Sequence, residues 1–259
     1  MIGLAVALFF ILLAMAAPLL APYDPLATNW AAARKAPSVT HLFGTDEIGR
    51  DVLARIIWGS RASLLAGLVS VMLALALGVP IGLVSGYVGG ILDGTIMRLI
   101  DAMLAIPFLV LAIALAAFLG PSLTNAMIAI GITQMPIFAR LTRGQVLSVK
   151  HEDYVEAARA VGNPQYRIVL RHILPNIVPP LLVQATLASA AAIIAEASLS
   201  FLGLGQQPPN PSWGSNTAKN FMTQAPWMAI WPGLAIFSLV LSLNLFGDGL
   251  RDAIDPRRE

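Results

Sequence analysis

The stretch ASLLAGLVSVMLALALGVPIGLVSGYV, residues 62–88, runs for 27 residues without a charged side chain. About 20 apolar residues in an α-helix cross the ~30 Å hydrocarbon core of a bilayer, because each helical residue adds about 1.5 Å. The stretch lacks the alternation of a membrane β-strand, and unpaired backbone is costly in lipid. It therefore predicts a transmembrane helix.

Five further stretches have the same character. They lie at about 2–20, 95–119, 122–140, 177–202 and 227–247. All six stretches are long enough to span a bilayer as helices. We predict an all-α protein, a polytopic membrane bundle of six transmembrane helices, with residues 1–259 forming a single membrane domain.

The composition agrees with a lipid environment. Of the 259 residues, 57% are hydrophobic and 12% charged, and the mean hydropathy is +0.76. A soluble domain carries about 25% charged residues, so most soluble enzymes are excluded. The absence of cysteine excludes disulfides, thiolate nucleophiles and cysteine-ligated metals. The net charge is only +2 and the basic residues are scattered, so no nucleic-acid partner is expected.

The first apolar stretch has one alternative reading, because Ala14-Met15-Ala16 resembles the cleavage site of a signal peptide. A positively charged segment before the stretch is missing, and the stretch exceeds the usual signal core of about 7 to 15 residues. We therefore expect it to be an uncleaved span.

The orientation follows from the Lys and Arg residues, which are in excess in cytoplasmic loops. With the N-terminus inside, ten basic residues lie on the cytoplasmic side: Arg98, Arg140, Arg143, Lys150, Arg159, Arg167, Arg171, Arg251, Arg257 and Arg258. Six lie outside: Arg34, Lys35, Arg50, Arg55, Arg61 and Lys219. The asymmetry predicts cytoplasmic N- and C-termini, an external loop at 21–61 and a cytoplasmic loop at 141–176.

The cytoplasmic loop contains the sequence HEDYVEAARAVGNPQYRIVLRHILPN, residues 151–176. Its first part, residues 152–161, predicts a short amphipathic helix. The predicted apolar face consists of Tyr154, Ala157, Ala158 and Val161. An interfacial hairpin resting on lipid is one explanation of this pattern. A face made mostly of alanine is a weak lipid anchor and a good packing surface, so a cytoplasmic protein partner is the more specific hypothesis.

The second part of the loop begins at a predicted tight bend. Gly162 is expected to end the first helix in a left-handed conformation. Asn163 is expected to cap, and Pro164 to open, a second helix that runs toward His172.

Together, Glu156-Ala157-Ala158, Gly162 and Ile173-Leu174-Pro175 resemble the EAA loop of ABC importer permease subunits. Three more stretches are similar to the dipeptide, oligopeptide and nickel branch of that family. They are FGTDEIGRDVLARIIWGSR at 43–61, ASLSFLGLGQQPPNPSWG at 197–214 and GDGLRDAIDPR at 247–257. The resemblance covers essentially the whole chain in the expected order.

The resemblance implies a type I ABC importer permease in a bacterial inner membrane, working by alternating access. It implies as partners a second permease subunit, two ATPase subunits and an extracytoplasmic solute-binding protein. Di- or oligopeptides are the implied substrates, with nickel or glutathione-like solutes as alternatives. The residues implied to couple the permease to the ATPase are Glu156, Ala157, Ala158, Arg159, Gly162, Pro164, Arg167, Leu174 and Pro175. For Arg159 and Arg167, contact with lipid headgroups is an equal alternative.

The sequence contains no recognisable motif for nucleotide binding, catalysis or metal binding. No Gly-Lys pair occurs, so the phosphate-binding loop of an ATPase is missing and a partner must hydrolyse ATP. The histidines, His41, His151 and His172, lack the spacing of metal ligands. We therefore expect a permease and no enzyme, with neither catalytic residues nor a metal site nor a cofactor.

Polar residues inside the spans are candidates for the translocation pathway, because charge in the bilayer is costly. The candidates are Glu196, Gln134 and Gln184. For Glu196 we favour the alternative of a structural role, protonated or paired with another helix. Arg98 is expected to pair with Asp101. Trp213, Trp227 and Trp231 are expected at the headgroup level of the outer interface.

Two alternative functions belong to other classes of membrane protein. An ion-coupled secondary transporter predicts several acids within the spans, whereas Glu196 alone qualifies. A membrane hydrolase predicts a serine and a histidine in matching positions, and the serines of the spans have no such partner.

Overall fold

The computed structural model describes residues 2–215 and 225–254. Within these residues the chain forms ten α-helices: α1 (Ile2–Met15), α2 (Ala17–Leu20), α3 (Val52–Val88), α4 (Gly90–Leu104), α5 (Phe108–Leu119), α6 (Leu123–Val149), α7 (Asp153–Ala160), α8 (Gln165–Ile168), α9 (Leu174–Phe201) and α10 (Trp227–Ile254). The described residues contain no β-sheet, and Thr45 and Asp51 form an isolated antiparallel bridge. The all-α class is confirmed.

The span predicted at 62–88 is part of a longer helix. α3 begins at Val52, where the Asp51 carboxylate accepts a hydrogen bond from the Ala54 amide at 2.7 Å and caps the helix. The last ten residues of the external loop predicted at 21–61 are therefore helical. The cytoplasmic loop predicted at 141–176 includes the end of α6, which continues to Val149, and the start of α9 at Leu174.

The span predicted at 95–119 is wrong as a single helix. α4 and α5 meet at an angle of 91° across residues 105–107. Pro107 has no backbone N–H and restricts the residue before it, which explains the break. The described residues include three helices long and apolar enough to span, or four if the bent pair counts as one span. The count of six stays a prediction.

A seam of glycines joins α3 to α6. At Gly78 an added Cβ would lie 2.7 Å from the Met135 carbonyl oxygen, and at Gly86 it would lie 2.9 Å from the Cβ of Val146. At Gly82 it would lie 2.6 Å from the Cβ of Thr142. The three glycines therefore let the two backbones approach closely, as small residues do in membrane bundles.

The bundle has two ends. The long-loop end carries residues 21–51 and 202–215, and the α7 end carries α7 and α8. At the long-loop end, Asp46 accepts hydrogen bonds from the Arg50 backbone and side chain and lies 3.6 Å from Arg55. Arg55 also donates to the carbonyl of Pro209 at 3.3 Å, so this cluster fastens both loops to α3.

Trp213 is held inside the protein. Its ring is fully buried, its indole N–H donates to the Ile56 carbonyl at 2.9 Å, and it packs edge-on against Phe10. It belongs to the core between α1 and α3, and its depth in the membrane stays a prediction. Three basic residues of the orientation argument, Lys219, Arg257 and Arg258, lie outside the described residues, as does the end of the stretch at 247–257.

Candidate functional site at the α7 end

The helix α7 presents one face to the bundle and one to solvent. Val155 and Ala158 are buried, and Val155 packs in the same apolar cluster as Ile168 and Ile173. Of the four members of the apolar face predicted for this helix, Ala158 is buried against the bundle. The others, Tyr154, Ala157 and Val161, lie on the exposed side.

The bend after α7 is a Schellman motif. Gly162 has φ +84°, and its N–H donates to the Arg159 carbonyl at 3.0 Å. The N–H of Asn163 donates to the Ala158 carbonyl at 3.2 Å. Glycine adopts this left-handed conformation without the penalty that a Cβ brings, which explains the residue at this position.

The second helix begins one residue later than expected. Pro164 occupies the N-cap of α8, and the side chain of Asn163 turns back to donate to the Ala158 carbonyl at 3.0 Å. Asn163 thus supports the end of α7 and does not cap α8. Through a π-helical turn at Val169–Ile173, α8 continues into α9, so that Gln165–Phe201 forms a helix of 37 residues.

The solvent side of this region is apolar. Four large apolar or aromatic side chains are exposed there: Tyr154, Val161, Tyr166 and Leu170. Charged side chains accompany them, with Asp153 and Glu156 in the first turn of α7 and Arg159 in the last. This order of charges complements the helix dipole.

Partial burial and the nearby Glu152 raise the pKa of Tyr154. We call α7, α8 and the bend between them, residues 153–168, the docking hairpin.

Side-chain hydrogen bonds tie the docking hairpin to the bundle. The Tyr87 hydroxyl at the end of α3 donates to the Gln165 side chain in α8. Lys150, just before α7, donates to the carbonyl of Gly86 at 3.1 Å. The end of α3 is thus connected to both sides of the hairpin.

A partly buried ion pair lies beside these ties. Arg143 of α6 makes two hydrogen bonds of 2.6 Å to the Asp93 carboxylate of α4. The Ser85 hydroxyl of α3 donates to the same carboxylate. The expected pair of Arg98 with Asp101 is not formed, because Asp101 pairs with Arg140. α4 lies beside α6 before the bend at residues 105–107. The two ion pairs, Asp93 with Arg143 and Asp101 with Arg140, therefore both link α4 to α6.

The three pathway candidates do not share a site. Gln134 is buried, and its amide donates to the Ala188 carbonyl of α9 at 3.1 Å. Its Oε1 atom has no hydrogen-bond partner among the described residues. Gln184 is half-buried in α9. Glu196 is fully buried near the long-loop end, where it accepts hydrogen bonds from Ser63 at 3.1 Å and Ser200 at 2.7 Å.

Sequence reasoning missed the pairing of Asp93 with Arg143 and the hydrogen bond of Ser63 to Glu196. A signal was available for the ion pair, because opposite charges at the same predicted end of two spans favour pairing. For Ser63 no signal existed, since a serine in an apolar helix usually bonds its own backbone.

Solved structures show which fold this is. The structure of the MetNI methionine ABC transporter, in an inward-facing conformation, matches with a TM-score of 0.65 and 20% identity, covering 78% of this chain and 97% of that one. A second crystal form of the same transporter gives a TM-score of 0.64. The likeness shows the fold, which is that of the permease subunit of this ABC transporter.

The chain belongs to the family of binding-protein-dependent transport system inner membrane components, whose model matches residues 78–259. Residues 1–37 match the N-terminal transmembrane domain of oligopeptide transport permease C. The resemblance drawn from the EAA loop and its companion stretches is confirmed. Members of this family are transport subunits and not enzymes, and they work with ATPase and binding-protein partners.

Several curated relatives cover nearly the whole chain. The dipeptide transport system permease protein DppC of Alkalihalophilus pseudofirmus is 47% identical over 99% of this chain and 85% of its own length. The probable D,D-dipeptide transport system permease protein DdpC of Escherichia coli is 46% identical over 95% and 84%. The glutathione transport system permease protein GsiD of Shigella flexneri is 47% identical over 98% and 86%.

Proposed function

We propose that this chain is the permease subunit of an importer for di- or oligopeptides. The α7 end faces the cytoplasm with both termini, and the long-loop end faces outward toward a solute-binding protein. A second, similar permease chain completes the pathway, and two ATPase subunits dock on the cytoplasmic side. Six helical segments cross the membrane, with α4 and α5 together forming the third.

The peptide assignment is supported by the relatives, two of which are permeases for dipeptides. A glutathione permease is equally similar, which keeps modified tripeptides as the second candidate. Glutathione is itself a peptide of three residues, so both candidates share a peptide backbone with charged ends. Nickel is the remaining alternative substrate that the resemblance implies.

The exposed face of the docking hairpin carries the proposal for ATPase coupling. Val155 and Ala158 hold α7 on the bundle, which leaves Tyr154, Ala157 and Val161 accessible to a partner. An exposed apolar patch rimmed by charges is typical of a protein interface. Glu156 and Arg159 supply charges for pairing across this interface, and Arg167 of α8 is exposed beside them.

The continuity of α8 with α9 supports a route for force. A displacement of the docking hairpin moves the N-terminal part of the 37-residue helix that ends at Phe201. Gly162 and Pro164 fix the angle between α7 and α8, and Leu174 and Pro175 lie where the π-helical turn joins α9. ATP-driven closure of the partner subunits thereby becomes a rotation of α9 against α3 and α6.

For the translocation pathway we propose two polar groups. One is Gln184, which belongs to the moving helix α9, and the other is the unpartnered oxygen of Gln134, whose amide bonds to α9. Glu196 accepts two serine hydroxyls at the opposite end of α9, which favours a structural role there. The charge of a peptide is then handled chiefly by backbone groups and by the second permease chain.

Docking is tested by replacing an exposed residue that supports nothing inside the bundle. Ala157→Glu adds a charge to the proposed interface, and Ser148→Glu adds the same charge to an exposed site at the end of α6. We expect Ala157→Glu to lose most of the ATPase that co-purifies with the tagged chain, and Ser148→Glu to retain it. Equal recovery in both variants would contradict the docking role.

Substrate and energy source are tested by uptake into cells that lack the chromosomal copy. We expect labelled dipeptides to accumulate, and excess unlabelled dipeptide to compete better than glutathione or a nickel chelate. Uptake should survive a proton uncoupler while ATP is maintained. Loss of uptake under the uncoupler alone would favour an ion-coupled transporter.

A further inference from the structure

A large apolar cleft opens between α1, α3 and α9 on the side of the bundle. Its volume is about 570 Å³, which lies in the range of about 300 to 1,000 Å³ that small-molecule sites occupy. Ile11 and Met15 of α1 form one wall, Leu65 and Leu68 of α3 form another, and Ile193 of α9 forms the floor. The cleft is not used by the docking hairpin or by the proposed pathway.

One cation, Arg61, lies at the rim of this cleft. Its Nε donates to the Ala14 carbonyl at 2.6 Å, and its Nη2 donates to the Met15 carbonyl at 3.3 Å. Proline at position 18 has no N–H to bond the Ala14 carbonyl, so the end of α1 leaves acceptors that Arg61 fills.

The guanidinium of Arg61 is held in place but its charge is not neutralised. Its Cζ atom lies 4.6 Å from the centroid of the Trp58 ring, which orients the plane. Among the described residues, no carboxylate lies within ion-pair distance of Arg61, and none lines the cleft. The positive charge of Arg61 is therefore left to pair with an anion from outside the chain.

We propose that the cleft binds one anionic phospholipid, with its phosphate on Arg61 and an acyl chain between α1 and α3. The apolar walls match an acyl chain, and the free charge of Arg61 matches a phosphodiester, which guanidinium groups bind well. A net negative headgroup is favoured over a zwitterionic one, because no carboxylate is present to receive an ammonium group. With the orientation proposed above, the lipid belongs to the outer leaflet.

The site is tested by native mass spectrometry of the full chain in the assembly in which it purifies. The detergent solution is supplemented with phosphatidylglycerol, phosphatidylethanolamine or phosphatidylcholine. We expect one phosphatidylglycerol to remain bound at concentrations where the other two dissociate. Arg61→Gln should weaken its retention about fivefold, the effect of one basic residue at an anionic surface. Lys35→Gln, which removes an exposed cation of the long loop, should not change it.

Because Arg61→Gln also uncaps α1, a second pair of variants tests the cleft with Arg61 intact. Leu68 lines the cleft and is 60% exposed, while Met72, one turn further along α3, is 58% exposed and does not line it. We expect Leu68→Trp to displace the lipid and Met72→Trp to leave it bound. Equal retention of the three lipids, or wild-type retention in Leu68→Trp, would overturn the proposal.

A protein occupant would also overturn it. The chain has no cysteine, so Leu65→Cys provides a single attachment point for a photocrosslinker within the cleft. We expect adducts with phospholipid. Crosslinking to a second permease chain in place of lipid would assign the cleft to a subunit interface. None of these outcomes depends on the transported substrate, so failure here leaves the proposed function untouched.

Discussion

Glu196 of α9 accepts a hydrogen bond from Ser63 of α3 at 3.1 Å while the acid is fully buried. The other carboxylate oxygen of Glu196 accepts from the Ser200 hydroxyl at 2.7 Å. The Ser200 hydroxyl in turn accepts from the backbone N–H of Gln206 at 3.0 Å. The acid therefore fastens α3, α9 and the loop after α9 at one point.

Replacing Glu196 with alanine should destabilise the protein, because two buried serine hydroxyls lose their acceptor. An unsatisfied buried group costs about 1 to 3 kcal/mol, and we expect a loss of that size in thermal unfolding of the detergent-solubilised protein. Ser198→Ala, in the same helix, removes only a bond to the Ile194 carbonyl and should have little effect.

The conservative variant Glu196→Gln distinguishes a structural role from a pathway role. The amide oxygen still accepts from Ser63, so stability and peptide uptake should both stay close to wild type. Abolished uptake at normal stability would instead place Glu196 in the translocation pathway.

The ion pair between Asp93 and Arg143 should contribute to stability, whereas the pair between Asp101 and Arg140 should not. The first pair is bidentate and its side chains are 15% and 33% exposed, while those of the second are 58% and 54% exposed. Removing one partner from a partly buried bidentate pair costs about 1.5 to 3 kcal/mol, and an exposed pair is worth about 0 to 1 kcal/mol.

A double-mutant cycle measures this difference directly. The cycle with Asp93→Asn and Arg143→Gln should give a coupling energy above 1 kcal/mol at low salt, and the cycle with Asp101→Asn and Arg140→Gln should give one close to zero. Equal coupling in the two cycles would show that the link between α4 and α6 at Asp93 adds nothing.

The glycine seam predicts a sharp contrast between two alanine substitutions. Gly82→Ala places a Cβ 2.6 Å from the Cβ of Thr142, so α3 and α6 must separate, and we expect strongly reduced yield of folded protein in membranes. Gly94→Ala meets open space in α4 and should be neutral or stabilising by up to about 1 kcal/mol. Monodisperse yield in size-exclusion chromatography is the measurement.

Much of this fold could be predicted from the long apolar stretches of the sequence. The features that could not be predicted have local causes. Hydropathy finds the spans because lipid demands uniform apolar surface, but it cannot find where a helix continues past the membrane. The ten residues after Asp51 are an example, since their helical state depends on a cap. The bend at residues 105–107 was readable from Pro107, yet apolar residues on both sides concealed it.

The docking hairpin was predictable in outline and not in detail. Gly162 marks the bend because its position requires a left-handed backbone. The burial of Val155 against the bundle was not predicted, because it depends on how far α7 is rotated, and the contacts with Ile168 and Ile173 decide this rotation. Such contacts are long-range, and a short helix with alanines on several sides does not encode them.

Gly162 also gives the most direct test of coupling. Gly162→Ala forces a Cβ into the left-handed region, at a penalty of about 1 to 2 kcal/mol, although nothing lies within 4 Å of that Cβ. The strain is therefore confined to the bend between α7 and α8. Gly144→Ala also meets open space, but it lies inside the helix α6, where alanine is favoured.

We expect Gly162→Ala to reach the membrane in normal amounts and to lower peptide uptake severalfold at an unchanged rate of ATP hydrolysis. Gly144→Ala should match the wild type in both measurements. Because the side chains of the interface are the same in both variants, a loss of uptake restricted to Gly162→Ala assigns the effect to the angle between the two helices. Normal uptake in Gly162→Ala would show that this angle does not transmit the movement of the ATPase.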